Sequence, residues 1–207
     1  MADVQRMAIP ELTRIFGQYG LYLRPSPEMP ESLSGNMLGR VISLHRTESG
    51  FGGQLHCADA QLPIAGGCLS LVYALFVIES SPDPAMLMQE IARALKPEGI
   101  ALVVSVNPWS PARLRWPGRG GRAMATARIE RLGREAGLER VRCHHLGPLW
   151  PRLEAAIGGG TNAGWLDGFR AARLLVLRRR EPGMTPLRST PAAVGLRPGM
   201  SAGMSVG

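Results

Sequence analysis

Four side chains with the chemistry of a binding site come at or shortly after the ends of predicted strands. They are Asp59, Glu79, Asn107 and Trp109. In an open α/β sheet, ligands bind at the carboxyl ends of the strands. A carboxylate there accepts hydrogen bonds, and an indole ring stacks on flat ligands. The alternatives are structural: Asp59 caps a turn, Glu79 is an exposed carboxylate and Trp109 covers the core.

The histidines and cysteines do not form a pattern typical of catalysis or metal binding. Cys57 follows His56, and Cys143 precedes His144 and His145. Neighbouring residues on a strand point to opposite faces, so such a group seldom converges on one ion. We therefore predict no metal site. The spacing also indicates no nucleophile arrangement, so no catalytic residue is assigned.

The first sixty residues predict one helix and three short strands. Apolar residues at helical spacing indicate a helix over residues 4–19, ended by glycines. Strands are predicted at 21–23, 41–45 and 53–57. The last two strands are separated by too few residues for a helical crossover, which needs about a dozen or more. These two strands are therefore predicted to form an antiparallel hairpin.

From residue 69 onwards, strands and helices alternate. The apolar run at 69–76 is typical of a strand buried on both faces. Asp83 and Pro84 are typical of a helix start, and the helix is predicted to end before Pro97. Further strands are predicted at 100–106, 141–146 and 174–177, with a helix at 124–136. The order indicates an α/β fold, a largely parallel central sheet flanked by helices, with a truncated N-terminal half.

Four short motifs follow one another between residues 62 and 99. They are LPI at 62–64, LSLV at 69–72, IESSPDP at 78–84 and EIARALKPEG at 90–99. In this order they resemble the LPF, FDLV, LEHVPDP and E-I-x-R-V-L-K-P-G-G motifs of the class I methyltransferases that use S-adenosylmethionine, the type 11 group. The resemblance implies a Rossmann-like methyltransferase fold.

The resemblance also implies where the cofactor and the acceptor substrate bind. Asp59 stands three residues before Leu62, where the family has the aspartate that contacts the adenine amino group. By resemblance, Asp59, Ala60 and Glu79 bind S-adenosylmethionine. Asn107 and Trp109, at the edge where acceptors sit in such folds, bind the substrate.

Two other cofactor contacts of the family depart from the pattern. The family has a glycine-rich turn after its first strand, whereas residues 24–27 here read Arg-Pro-Ser-Pro. Prolines lack the N–H donors of such a turn. The family has an acid after its second strand, to hold the ribose hydroxyls. Here the strand at 41–45 is followed by Arg46, with Glu48 close by.

Composition favours one domain with a core, at residues 1–180, and a disordered Pro/Gly/Met-rich tail at 181–207. The longest apolar run, 69–78, is about half a membrane span, and no secretory signal precedes it, so a cytoplasmic location is predicted. Residues 113–180 carry fifteen arginines against five carboxylates. This arginine-rich second half is either solvated surface or a surface for nucleic acid, an acidic partner or an anionic substrate.

The sequence therefore predicts a methyltransferase that uses S-adenosylmethionine on an unidentified, small-molecule acceptor. Methyl transfer needs mainly alignment and desolvation, so few catalytic side chains are expected. The alternative is a catalytically inactive methyltransferase-like scaffold or regulator that binds a partner through the arginine-rich second half. Nucleic acid is not expected as a partner, because no reading motif accompanies the basic residues.

Overall fold

A computed structural model describes residues 2–110, 123–147 and 170–180, which fold around one sheet. The helices in these ranges are α1 (Ala2–Leu12), α2 (Pro84–Ala94) and α3 (Thr126–Glu135). The strands are β1 (Phe16–Arg24), β2 (Met37–Arg46), β3 (Phe51–Gly53), β4 (Leu69–Leu75), β5 (Leu95–Val106), β6 (Leu138–Leu146) and β7 (Ala172–Arg179). The predicted tail at 181–207 lies outside the described residues.

The seven strands of these ranges lie in the order β3-β2-β1-β4-β5-β7-β6. The four central strands, β2, β1, β4 and β5, are parallel to one another. The pairings of β3 with β2, of β5 with β7 and of β7 with β6 are antiparallel. The predicted Rossmann-like α/β fold is confirmed. Its parallel strands end at one common edge, called the carboxyl edge below.

The N-terminal half of the sheet is built from short connections. β2 and β3 form the predicted antiparallel hairpin, with Arg46 opposite Phe51. Its second strand covers residues 51–53 and not the predicted 53–57. Residues 25–36, which join the parallel strands β1 and β2, contain no helix. The segment between β2 and β3 is a tight turn, as its short length requires.

The predicted helix over residues 4–19 is wrong beyond Leu12, because residues 16–24 form β1. This strand pairs with β2 on one side and β4 on the other. Gly17 does not end a helix. A Cβ at Gly17 would lie 2.0 Å from Ser70 Oγ of β4, so glycine permits the close approach of two central strands. Helical spacing in the apolar residues could not reveal this tertiary requirement.

The sheet carries a core on each face. One core includes the buried residues of α2 and α3, and the other includes those of α1. On the α1 face, the rings of Tyr22 and Tyr73 stack with centroids 5.4 Å apart. The start of α2 is as predicted, because Asp83 Oδ1 accepts hydrogen bonds from the N–H groups of Ala85 and Met86, both at 3.0 Å.

Candidate functional site at the carboxyl edge

The loop that follows β4 crosses the carboxyl edge of the sheet and carries several polar residues to it. Phe76 begins this loop with a left-handed backbone conformation, φ 53°. That conformation is uncommon for a bulky residue and is often found near functional sites. The Phe76 N–H donates to the carbonyl oxygen of Val104 at 2.9 Å, which holds the turn against β5. Glu79, Ser80 and Ser81 follow it.

Asp59 is buried at this edge and both of its carboxylate oxygens are engaged. Its Oδ1 lies 2.5 Å from Arg46 Nη1, and its Oδ2 accepts a hydrogen bond from Ser81 Oγ at 2.5 Å. The side chains of Arg46 and Asp59 are 11% and 10% exposed, so this ion pair is largely withdrawn from water. Asp59 therefore does more than cap a turn.

Arg46, the last residue of β2, connects three segments of the chain. Besides Asp59, its guanidinium donates through Nη2 to the carbonyl oxygen of Ser80 at 2.9 Å. Its guanidinium carbon lies 5.0 Å from the centroid of the Phe51 ring of β3, within the range of a cation–π interaction. A single arginine thus joins the β2–β3 hairpin to the loop after β4.

Glu79 is buried rather than an exposed carboxylate. Its Oε1 accepts a hydrogen bond from the N–H of Val106 at 2.7 Å, whereas Oε2 has no partner among the described residues. Burial raises the pKa of Glu79 from 4.5 to about 7, although hydrogen bonds from backbone N–H groups act in the opposite direction. A carboxyl group that titrates near neutrality at a ligand-binding edge is a functional-site candidate.

Asn107 and Trp109 lie together at the end of β5 but in different environments. Asn107 is fully buried, and its side chain donates to the carbonyl oxygen of Arg170 and accepts from the N–H of Trp109. Trp109 is 73% exposed. Asn107 therefore positions the turn, and the indole ring is presented to solvent instead of covering the core.

Ala60 is exposed and lines a different feature, an open cleft of about 920 Å³ beside α2. Glu90 and Arg93 of α2 also line it. They pair with each other at 2.8 Å and bind the backbone of Leu62 and Ile64. Glu90 and Arg93 therefore hold the loop that forms the cleft wall, and Ala60 is part of that wall.

Arg24 ends β1, where the family has its glycine-rich turn, and its side chain is buried, 1% exposed. Its guanidinium donates to the carbonyl oxygens of Pro27 and Met29 and to Glu31 Oε1, the last at 2.7 Å. The loop after β1 is thus folded around an arginine of this chain.

S-adenosylmethionine is the cofactor that the family resemblance implies, and these residues meet its needs only at the adenine end. Asp59 offers acceptor oxygens for an adenine amino group, but each oxygen already accepts one hydrogen bond, from Arg46 or from Ser81. The ends of β1 and β2 present two arginines where the family has glycine backbone and a carboxylate. As long as Arg46 is paired with Asp59, these residues do not fit S-adenosylmethionine in the way that the family binds it.

Arg24 and Arg46 are the residues that reasoning from the sequence missed as parts of this edge. Both are the last residues of strands that carry buried apolar side chains, and an arginine there must find internal acceptors. An arginine at the end of a buried strand was therefore the feature of the sequence that could have indicated both residues. Their partners come from loops and could not be read from spacing.

Five arginines in the described part of the arginine-rich second half pair with carboxylates. Pairs link Arg131 to Glu135, Arg140 to Glu130, Arg142 to Glu11, Arg178 to Glu98 and Arg180 to Glu139, at 2.7 to 3.7 Å. Arg128 and Arg134 of α3 are exposed and have no ion pair among the described residues. Among those residues, no group of three or more metal-binding side chains converges, and no helix has the length and apolar character to span a membrane.

Comparison with known proteins agrees with this architecture. Residues 32–103, about a third of the chain, match the family described as the methyltransferase domain. No curated protein matches the sequence at a significant level. The predicted resemblance to the class I methyltransferases that use S-adenosylmethionine is confirmed by this match and by the solved structures with the same fold.

Three solved structures illustrate the range of that fold. A chain of the Haloferax volcanii complex that includes the Trm112 methyltransferase activator has a TM-score of 0.61 and 17% identity, over 86% of this chain and 90% of that chain. Geranyl diphosphate C-methyltransferase from Streptomyces coelicolor A3(2), bound to S-adenosyl-L-homocysteine, has a TM-score of 0.55 and 16% identity, over 84% and 76%. The cyclase SpnF has a TM-score of 0.55 and 18% identity, over 85% and 80%.

Proposed function

We propose that this chain is a methyltransferase that uses S-adenosylmethionine and acts on a small-molecule acceptor. The observation that carries the proposal is the position of Asp59, buried at the carboxyl edge and inside the segment that matches the methyltransferase domain. S-adenosyl-L-homocysteine, the demethylated form of the cofactor, is bound in the similar Streptomyces coelicolor enzyme. The cofactor would supply a methyl group on a sulfonium, and Asp59 would hold its adenine amino group.

The acceptor side of the proposed site lies at the end of β5. Trp109 offers an exposed ring on which a flat acceptor can stack, and Asn107 fixes the turn that carries this ring. Glu79, on the loop after β4, is fastened to Val106, the last residue of β5. Its buried carboxyl would lie between the cofactor and the acceptor.

Calorimetric titration with S-adenosylmethionine and S-adenosylhomocysteine tests the proposal. We expect a dissociation constant of about 1 mM or tighter, a free energy of about −4 kcal/mol or more negative. Asp59→Ala should abolish binding, whereas Glu139→Ala, which removes an exposed carboxylate of β6, should leave it unchanged. A ligand-dependent rise in melting temperature gives an independent reading. No heat and no thermal shift at millimolar ligand would overturn the proposal.

A second candidate function is a methyltransferase-like scaffold or regulator that does not bind the cofactor. The arginines at the ends of β1 and β2 favour it, because both already have internal partners. Its partner would bind through the arginine-rich second half, where Arg128 and Arg134 are exposed on α3. Polyglutamate is a defined acidic probe. Binding that is lost in Arg128→Glu/Arg134→Glu, together with no cofactor binding, would support this function over the first.

A further inference from the structure

The contacts of Arg46 link two strands that are not neighbours in the sheet. Arg46 ends β2, and its acceptor Ser80 lies beyond the end of β4. β1 lies between β2 and β4 in the strand order. In an open α/β sheet, a ligand enters between loops at the carboxyl ends of such strands. The Arg46 side chain, which links the two flanking segments, would therefore obstruct the entry of a ligand between them.

The same side chain also occupies the polar group that an adenosine ligand would need. Asp59 is 8% exposed, and its two oxygens accept from Arg46 and from Ser81. Because so little of Asp59 is exposed, an adenine amino group would have to compete with these two donors for its oxygens. Displacing Arg46 would leave a buried carboxylate without its counterion, which is unfavourable.

We propose that Arg46 is an intramolecular latch that determines whether an adenosine ligand can enter the carboxyl edge. In the closed state its guanidinium holds Asp59 and the Ser80 carbonyl group. In the open state the guanidinium leaves both, and Asp59 becomes available to an adenine amino group. The inference rests on the proposed function, because it assigns to Asp59 the same ligand. It adds that this chain controls its own affinity through one residue of β2.

The test is calorimetric titration of S-adenosylhomocysteine and of adenosine into the wild type and Arg46→Gln. Arg46→Gln retains an amide but removes the charge and one of the two simultaneous contacts. We expect it to bind about tenfold more tightly than the wild type or better, which is a readily measured difference. Arg40→Gln is the matched control, because Arg40 is exposed on the same strand. Its affinity should equal that of the wild type.

Removing Arg46 alone leaves the Asp59 charge unpaired, which is expected to lower stability. The double variant Arg46→Gln/Asp59→Asn removes both charges and keeps an acceptor oxygen at position 59. It should also bind more tightly than the wild type, with a melting temperature closer to the wild type than that of Arg46→Gln. This variant keeps the latch testable if the single variant does not fold.

Three outcomes would distinguish the latch from the proposed function. Tighter binding by both variants than by a wild type that itself binds at millimolar ligand supports the latch. Binding by the wild type that neither variant tightens overturns the latch and leaves the proposed function standing. Absence of binding by all proteins, each shown to be folded by its melting transition, overturns both.

Discussion

Glu79 Oε1 and the N–H of Val106 are joined by a hydrogen bond of 2.7 Å, which fastens the loop after β4 to the end of β5. Glu79 is at the same time buried, with its second oxygen unpartnered among the described residues. The hydrogen bond to Val106 can form whether or not Glu79 is protonated. Burial, in contrast, disfavours the charged form of its carboxyl group.

The first prediction concerns the pH dependence of stability. Burial raises the pKa of Glu79 from 4.5 to about 7. Between these values the folded state holds a proton that the unfolded chain has lost. The free energy of unfolding should therefore fall as the pH rises from 4.5 to 7, and this contribution should be constant above that. The full change is about 3 kcal/mol, at 1.4 kcal/mol per pKa unit.

Urea denaturation at about pH 5 and about pH 8 measures this difference. Glu79→Gln keeps an acceptor for Val106 and cannot ionise, so it should flatten the pH dependence and be the more stable protein at the higher pH. Glu139→Gln, on the exposed part of β6, is a control that should retain the wild-type slope. An unchanged slope in Glu79→Gln would show that another group titrates.

The second prediction concerns the loop after β1. Arg24→Leu removes the donor that binds the carbonyl oxygens of Pro27 and Met29, and these would then lack their partner. We expect a loss of roughly 2 to 4 kcal/mol in the free energy of unfolding. Cleavage by proteases within residues 25–36 should also become faster. Arg24→Lys retains a charge and should lose less. Unchanged cleavage in Arg24→Leu would contradict the role of Arg24 in this loop.

The third prediction concerns the stacked tyrosines under α1. The Tyr73 hydroxyl is buried and has no hydrogen-bond partner among the described residues, whereas the Tyr22 hydroxyl accepts from Gln5 at 3.4 Å. Tyr73→Phe should therefore stabilise the protein, by about 1 kcal/mol. Tyr22→Phe is the comparison, since it removes a bonded hydroxyl from the same stack. A melting temperature that is lower for Tyr73→Phe than for Tyr22→Phe would contradict the prediction.

The fourth prediction tests the close approach of β1 and β4. A Cβ on Gly17 would lie 2.3 Å from the Cβ of Ser70, so Gly17→Ala should destabilise by about 1 to 3 kcal/mol. Gly66→Ala is a suitable control, because its nearest neighbour would be at 3.4 Å. Ser70→Gly should restore stability in the Gly17→Ala background. Failure of this rescue would place the strain elsewhere.

The sequence predicted the second half of the fold well because its signals are local. The run from Leu69 and the cap at Asp83 depend on burial and on hydrogen bonds within a few residues. The hairpin of β2 and β3 was also predicted, because chain length alone limits that connection. Residues 21–23 of β1 were predicted as a strand, but residues 16–19 were assigned to the preceding helix, since the pairing of β1 with β2 and β4 depends on residues far away in the chain.

In the candidate site, too, the positions of the residues could be predicted from the sequence and their contacts could not. Asp59, Glu79 and Trp109 were predicted at the carboxyl edge, because each follows a strand that the sequence indicates. Their environments were not predictable. The partner of Asp59 is an arginine 13 positions earlier, and the partner of Glu79 is a backbone N–H 27 positions later. Such contacts are set by how loops cross the edge of the sheet.

The strand order has a last consequence for the segment that matches the methyltransferase domain. Residues 32–103 include β2, β3, β4, α2 and most of β5, but β1 ends at Arg24. β1 is the strand that lies between β2 and β4. A fragment limited to the matched segment would consist of two pieces of sheet with open edges and no common centre. The matched segment alone therefore lacks the strand that pairs with both β2 and β4.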